Sequence, residues 1–151
     1  MRLILLLLLF LPSWYPNIRA QSAQGASPEA ARYFADALAA EARADWPTAQ
    51  RSYLRAIQSA PNWAEAMVNL GVVYNRQGQA DEAIRAFKRA VQVRPNLVAA
   101  HLNLSVTYFK AGRYEEAITT LGRVAVLEPA NVQGQELMAL SLIALEKFQE
   151  A

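Results

Sequence analysis

Residues Ala64–Leu97 read AEAMVNLGVVYNRQGQADEAIRAFKRAVQVRPNL. Apolar residues recur every three to four positions on both sides of Gly78, which predicts two amphipathic helices with a turn between them. Pro95 stops the second one, because proline cannot continue a helix and turns the preceding residue away from helical geometry. A shift of 34 residues lays this stretch on Val98–Asn131 with 11 identities, among them Asn69/Asn103, Leu70/Leu104, Tyr74/Tyr108, Gly78/Gly112, Ala83/Ala117 and Pro95/Pro129. A fixed period in this range is the mark of stacked helical repeats.

Extending the register in both directions gives units 30–63, 64–97, 98–131 and a partial unit 132–151. Position 8 of the unit is small throughout: Ala37, Gly71, Ser105 and Ala139. Position 20 is Ala49, Ala83, Ala117 and Ala151, and position 24 is large: Tyr53, Phe87 and Leu121. Small residues let the two helices of a hairpin approach closely while the large ones interlock. Helices are therefore predicted near 28–43, 47–60, 64–77, 81–94, 98–111, 115–128 and 132–146.

Local signals fit these bounds. Ser27-Pro28-Glu29 combines a capping hydroxyl, a proline at the first helical position and an acid at the positive helix end. Gly78 and Gly112 suit a left-handed helix stop. The first unit has Ala44-Asp45-Trp46-Pro47 there, and the fourth has Glu146. Asn62 and Asn96, each following a proline, are expected to cap the next helix. At the end of the sequence KFQEA aligns with RYEEA and QADEA, the openings of second helices. The expectation is that Ala151 falls inside a second helix of a fourth unit, in a longer or truncated protein.

The first twenty residues follow different rules. Met1-Arg2 is followed by nine unbroken apolar residues, Leu3–Leu11, then Pro12 and a polar-leaning tail to Ala20. This is the three-part pattern of a secretory signal. Nine residues are short of the ~20 that a membrane-spanning helix needs. Ala20, with Ile18 two residues before it, marks the expected cut. The organisation is then a signal peptide over 1–20, a linker over 21–27 and a repeat domain over 28–151, exported to a periplasmic or extracellular location. A membrane tether is expected only if the leader is retained.

Charge follows from that division. Arg2 and Arg19 leave with the leader, and 13 basic residues then balance 13 acidic ones. No basic excess remains to suggest nucleic acid. With no cysteine, disulfides, thiolate metal sites and cysteine nucleophiles are excluded. His101 is the single histidine, too few for the usual metal shell. No nucleophile elbow, phosphate loop or paired-histidine motif occurs. Asp81-Glu82 and Glu115-Glu116 open second helices, where an acid complements the helix dipole. The expectation is a non-catalytic chain without metal or cofactor.

The repeat resembles the tetratricopeptide repeat family. Its pattern, W-x2-L-G-x2-Y, then A-x3-F, then P, is met by Leu70, Gly71, Tyr74, Ala83, Phe87 and Pro95, with Met67 and His101 in the tryptophan slot. The resemblance covers Ala30–Ala151. It implies an all-α, right-handed solenoid of helix hairpins whose first helices line a concave groove. It places Asn69, Val72, Asn75 and Arg76 on that groove, together with Asn103, Val106, Phe109 and Lys110. Asn69 and Asn103 recur at position 6, and an amide that both donates and accepts suits an extended peptide backbone. The carboxylate clamp of some family members uses Lys and Asn in the first helix and Lys and Arg in the third; the matching positions here are Phe34 and Leu38, and Ala99 and Asn103, so that mode is not expected. The implied partner is a protein or peptide segment, and not nucleic acid. A second expectation makes the repeats the accessory domain of a longer exported enzyme.

Overall fold

The computed structural model describes residues 26–149. The signal peptide assigned to 1–20 lies outside them. Among the described residues seven helices follow one another: α1 (Pro28–Ala42), α2 (Trp46–Ser59), α3 (Ala64–Arg76), α4 (Ala80–Val93), α5 (Val98–Lys110), α6 (Tyr114–Leu127) and α7 (Val132–Gln149). The described residues contain no strand. Each helix packs on the next, α1–α2, α3–α4 and α5–α6 most extensively. First helices also meet directly, α3 with α5 and α5 with α7. Second helices make no comparable approach, so the row bends towards its first-helix side, an all-α solenoid.

The hairpin turns repeat one device. The residue after the turn donates its N–H to the carbonyl five residues back at 2.9 Å in all three cases: Asp45 to Ala40, Gln79 to Tyr74 and Arg113 to Tyr108. This is the six-to-one bond of a Schellman stop. It needs a left-handed residue, supplied by Gly78 (φ 76°) and Gly112 (φ 72°). In the first unit Ala44 takes that role at φ 55° and accepts the strain.

Starts differ from the expectation. Ser27 does cap α1, its Oγ accepting from Ala30 N–H at 3.1 Å. Asp45 caps α2 by accepting from Thr48 N–H at 3.2 Å. Asn62 and Asn96 do not cap, because the turn after each proline runs one residue longer. The cap positions are Trp63 and Leu97, neither with a side-chain bond. Both instead turn an apolar side chain onto the core. Only at that later register does an asparagine cap: Asn131 Oδ1 accepts from Gly134 N–H at 2.8 Å.

The core is the pairing of small against large. Tyr53, Phe87 and Leu121 are essentially sealed, as are Ala37 and Ser105 at the small position of their units. At Gly71 the fit is closest: a Cβ there would stand 2.5 Å from the Phe87 ring. Burying such a side chain stabilises by about 1.5–3 kcal/mol. Trp63 is buried and stacks on Phe34, 4.5 Å between centroids at 21°. Phe34 also meets Tyr53 edge-on at 5.5 Å. Position 5 of the first unit therefore packs inward. His101 is buried as its slot implies, and its Nε2–H donates to Pro95 O at 2.8 Å.

The last helix runs on to Gln149, past the stop expected near 146. Glu146 stands where the other units have Gly78 and Gly112, and nothing there favours a left-handed residue. The alignment of KFQEA with second-helix openings does not produce a turn.

Candidate functional site

α3 and α5 place their groove-side residues in the same order on adjacent first helices. A side-chain bond ties the two rows together: Asn75 Nδ2 donates to Thr107 Oγ1 at 2.8 Å. Thr107 in turn donates to Asn103 O at 2.7 Å. A carbonyl only accepts, so the Thr107 hydroxyl must be the donor there and must accept from Asn75. That fixes the orientation of the Asn75 amide. Asn103 is fixed the same way, its Nδ2 donating to Ala99 O at 2.8 Å.

Asn69 belongs to a chain of bonds that reaches into the first unit. Its Nδ2 donates to the hydroxyl of sealed Tyr53 at 3.2 Å. The Tyr53 hydroxyl faces Glu41, whose Oε1 is buried without a hydrogen-bond partner among the described residues. Burial raises the Glu41 carboxyl above its ordinary value, and the Tyr53 hydroxyl and the Arg76 guanidinium partly offset this. Tyr53 is pushed far above a free phenol, first by burial and then by the neighbouring Glu41 charge.

All three asparagines thus turn the amide nitrogen into the protein. None of their Oδ1 atoms has a hydrogen-bond partner among the described residues, and none is counted among the buried ones. The expectation for Asn69 and Asn103 was an amide that donates and accepts together. The structure instead spends one N–H of each on the scaffold and leaves the carbonyl oxygens open, so the row is richer in acceptors than in donors.

Between these amides lie Val72 and Val106, both half-buried. Phe109 is half-buried too, held by Tyr114 at 5.6 Å and 60°. At the C-terminal ends of α3 and α5 stand Arg76 and Lys110, both exposed. The Arg76 guanidinium lies 6.0 Å from the Trp46 ring centroid. All eight sequence-derived residues therefore sit on α3 and α5. Four more shape the site: Glu41, Trp46, Tyr53 and Thr107. Tyr53 was legible only as a packing residue. The signal for its second role is the hydroxyl that Phe87 lacks at the same register.

The convex side is occupied with its own contacts. Arg85 pairs with Glu82 at 2.8 Å, and Arg113 Nε donates to Glu116 at 2.8 Å. Arg89 reaches Pro61 O at 3.4 Å. Among the described residues no group of three His, Asp or Glu side chains could hold a metal ion. No helix among them is long and apolar enough to cross a membrane.

Two family models described as tetratricopeptide repeat match the chain, one over residues 34–97 and one over 74–140. No curated protein matches it. Among solved structures it is similar to the TPR domain of Sgt2 from Aspergillus fumigatus, with TM-score 0.77 and 20% identity over 83% of this chain and 85% of that one. The first TPR of Spaghetti (RPAP3), bound to the HSP90 peptide SRMEEVD, gives 0.75 and 19% over 78% and 94%. The TPR2B domain of yeast Sti1 in its pHsp70 complex gives 0.71 and 22% over 80% and 99%. At these identities the likeness is one of fold.

Proposed function

The chain carries tetratricopeptide repeats over residues 34–140, and on that basis we propose that it is an exported, non-catalytic scaffold that holds an extended protein segment along its concave face. The observation that carries this reading is the row of open carbonyl oxygens on Asn69, Asn75 and Asn103, interleaved with Val72, Val106 and Phe109. An extended backbone offers N–H groups to such acceptors and apolar side chains to the floor between them. The amides are already oriented by Tyr53, Thr107 and Ala99, so binding orders little that is not ordered beforehand. Arg76 and Lys110 receive an acidic side chain at the groove's end. One of the similar structures is bound to an HSP90 peptide and another is a pHsp70 complex, which supports a polypeptide as the occupant. The leader Leu3–Leu11 supports export.

A twelve-residue random peptide library selected on residues 21–151 tests the reading. Selected peptides are expected to lose at least tenfold in affinity when Asn69, Asn103 and Phe109 are all changed to alanine, with helical content retained. Unchanged affinity in that variant would place the binding face elsewhere.

A further inference from the structure

Glu41 stands at register position 12 of its unit, where α3 has Asn75 and α5 has Phe109. It carries the groove-side row onto α1. Its side chain is half-buried. Oε1 is sealed and meets no hydrogen-bond donor among the described residues, whereas Oε2 is not among the sealed atoms. One oxygen is thus turned into the protein and the other stays open.

Glu65 is the other half-buried acid on a first helix, and Arg94 pairs with it. Glu41 has no such partner: none of the ion pairs among the described residues includes it. The Arg76 guanidinium attracts its charge from a distance but rests over the Trp46 ring. The Tyr53 hydroxyl has one proton to give and already accepts from Asn69 at 3.2 Å. These two neighbours offset only part of the cost of burial, and the carboxyl stays raised.

The groove side of this acid offers acceptors and apolar surface. Asn69, reached through the Tyr53 hydroxyl, and Asn75, at the same register on α3, each commit an amide N–H inward and leave Oδ1 open. Leu38, one turn before Glu41, is 39% exposed. A group that suits such a place has donors only, a positive charge and a stem of methylenes: the side chain of lysine or arginine.

We propose that Glu41, Leu38 and the Asn69 amide oxygen form a subsite for a lysine or arginine side chain of the segment in the groove. The proposal rests on the concave face being a peptide groove, and it names what that segment carries: a basic residue for Glu41 beside an acidic one for Arg76 and Lys110. The acidic residue draws Arg76 off, and the basic one takes its place at the carboxylate.

The probes are the twelve-residue peptides selected against the groove, labelled, titrated into the full chain and followed by fluorescence anisotropy. Lysine or arginine is expected at one shared position of these peptides. Changing that residue to glutamine, or Glu41→Gln in the chain, is expected to weaken binding about tenfold, the size of one charge-assisted hydrogen bond. The two changes together should cost little more than either alone. Glu41→Lys should restore binding of a peptide carrying glutamate at that position. Glu82→Gln, on the convex side, should leave binding unchanged, and circular dichroism checks that each variant keeps its helices. Unchanged binding by Glu41→Gln, with the loss at Asn69, Asn103 and Phe109 kept, overturns the subsite and leaves the groove standing. Additive costs for Glu41→Gln and the peptide change put the basic residue elsewhere and overturn the subsite too. Peptides indifferent both to Glu41 and to those three residues overturn groove and subsite together.

Discussion

The α3–α4 hairpin and the terminal helix α7 share one 34-residue register and differ in almost everything that burial measures. Gly71 is buried beneath Phe87, while Ala139, 68 residues on in the same position, is exposed. The difference comes from neighbours. Among the described residues α3 has a helix on either side and another first helix beyond, whereas α7 rests on α6 and α5 alone. In a solenoid each repeat is stabilised by its own helices and its immediate neighbours. The same amino-acid pattern is thus a core in one place and a surface in another.

The largest test of that contrast is a pair of truncations. Phe87→Ala empties a sealed site and is expected to cost about 3–5 kcal/mol. Leu142→Ala, half exposed, is expected to stay within about 0.5 kcal/mol. Urea unfolding of both variants measures the gap. A cost at Leu142 close to that at Phe87 would mean the face of α7 is covered in solution.

A second pair tests the close approach itself. Gly71→Ala places a Cβ 2.5 Å from the Phe87 ring. Phe87 is sealed and has no room to withdraw, so overpacking of about 1–3 kcal/mol is expected. Adding Phe87→Leu recreates the kind of pair seen at Ser105 and Leu121 and should recover part of the loss. The coupling in the double-mutant cycle is the readout. Additive costs would show that Gly71 serves helix geometry and not contact with Phe87.

Much of this frame was legible because packing writes itself into residue size. The small and large residues at positions 8 and 24, the prolines that end second helices, and Gly78 and Gly112 all gave the right element at the right place. What was not legible depends on the exact loop path or on neighbours. Asn62 and Asn96 looked like caps, yet the turn delays the cap to Trp63 and Leu97, where an apolar contact takes the place of a hydrogen bond. The end of α7 near 146 was inferred from alignment with other turns, but Glu146 carries no local reason to stop. The family resemblance marked Asn69, Asn75 and Asn103 as groove positions. The direction of their amides is set by Tyr53, Thr107 and Ala99, which lie 16 and 32 residues away or on the backbone.

The turns offer a smaller comparison between units. Ala44 holds φ 55° in the place that Gly78 holds at 76°. Ala44→Gly removes the steric cost of a left-handed alanine but loosens the unfolded chain. The net is expected to be a gain of about 0.5–1 kcal/mol. Gly78→Ala should lose a similar amount. Thermal unfolding of the two variants should therefore move in opposite directions, and a loss at Ala44→Gly would show that the first turn is not strained.

The least effect contrasts the inner and outer faces through two carboxylates of opposite tendency. Burial raises Glu41 on the inner face above its ordinary value. The folded state then takes up protons more readily than the unfolded chain, and stability from this group is full below the ordinary carboxylate range and falls as pH rises through the folded value. On the outer face Arg113 holds Glu116 below its ordinary value. Its contribution is present above the ordinary range and is lost as pH falls through the folded value. Glu41→Gln should therefore stabilise the chain at pH 7, with the advantage shrinking as the medium is acidified. Glu116→Gln should weaken it at pH 7, with the penalty shrinking over the same change. Solvent screens both groups, so the shifts are small, and the informative readout is their opposite sign across a pH series of unfolding curves. If Glu41→Gln destabilises at pH 7, the Glu41 carboxylate is satisfied by donors from Tyr53 and Arg76, and the bond chain from Asn69 ends in an ion pair instead of a buried acid.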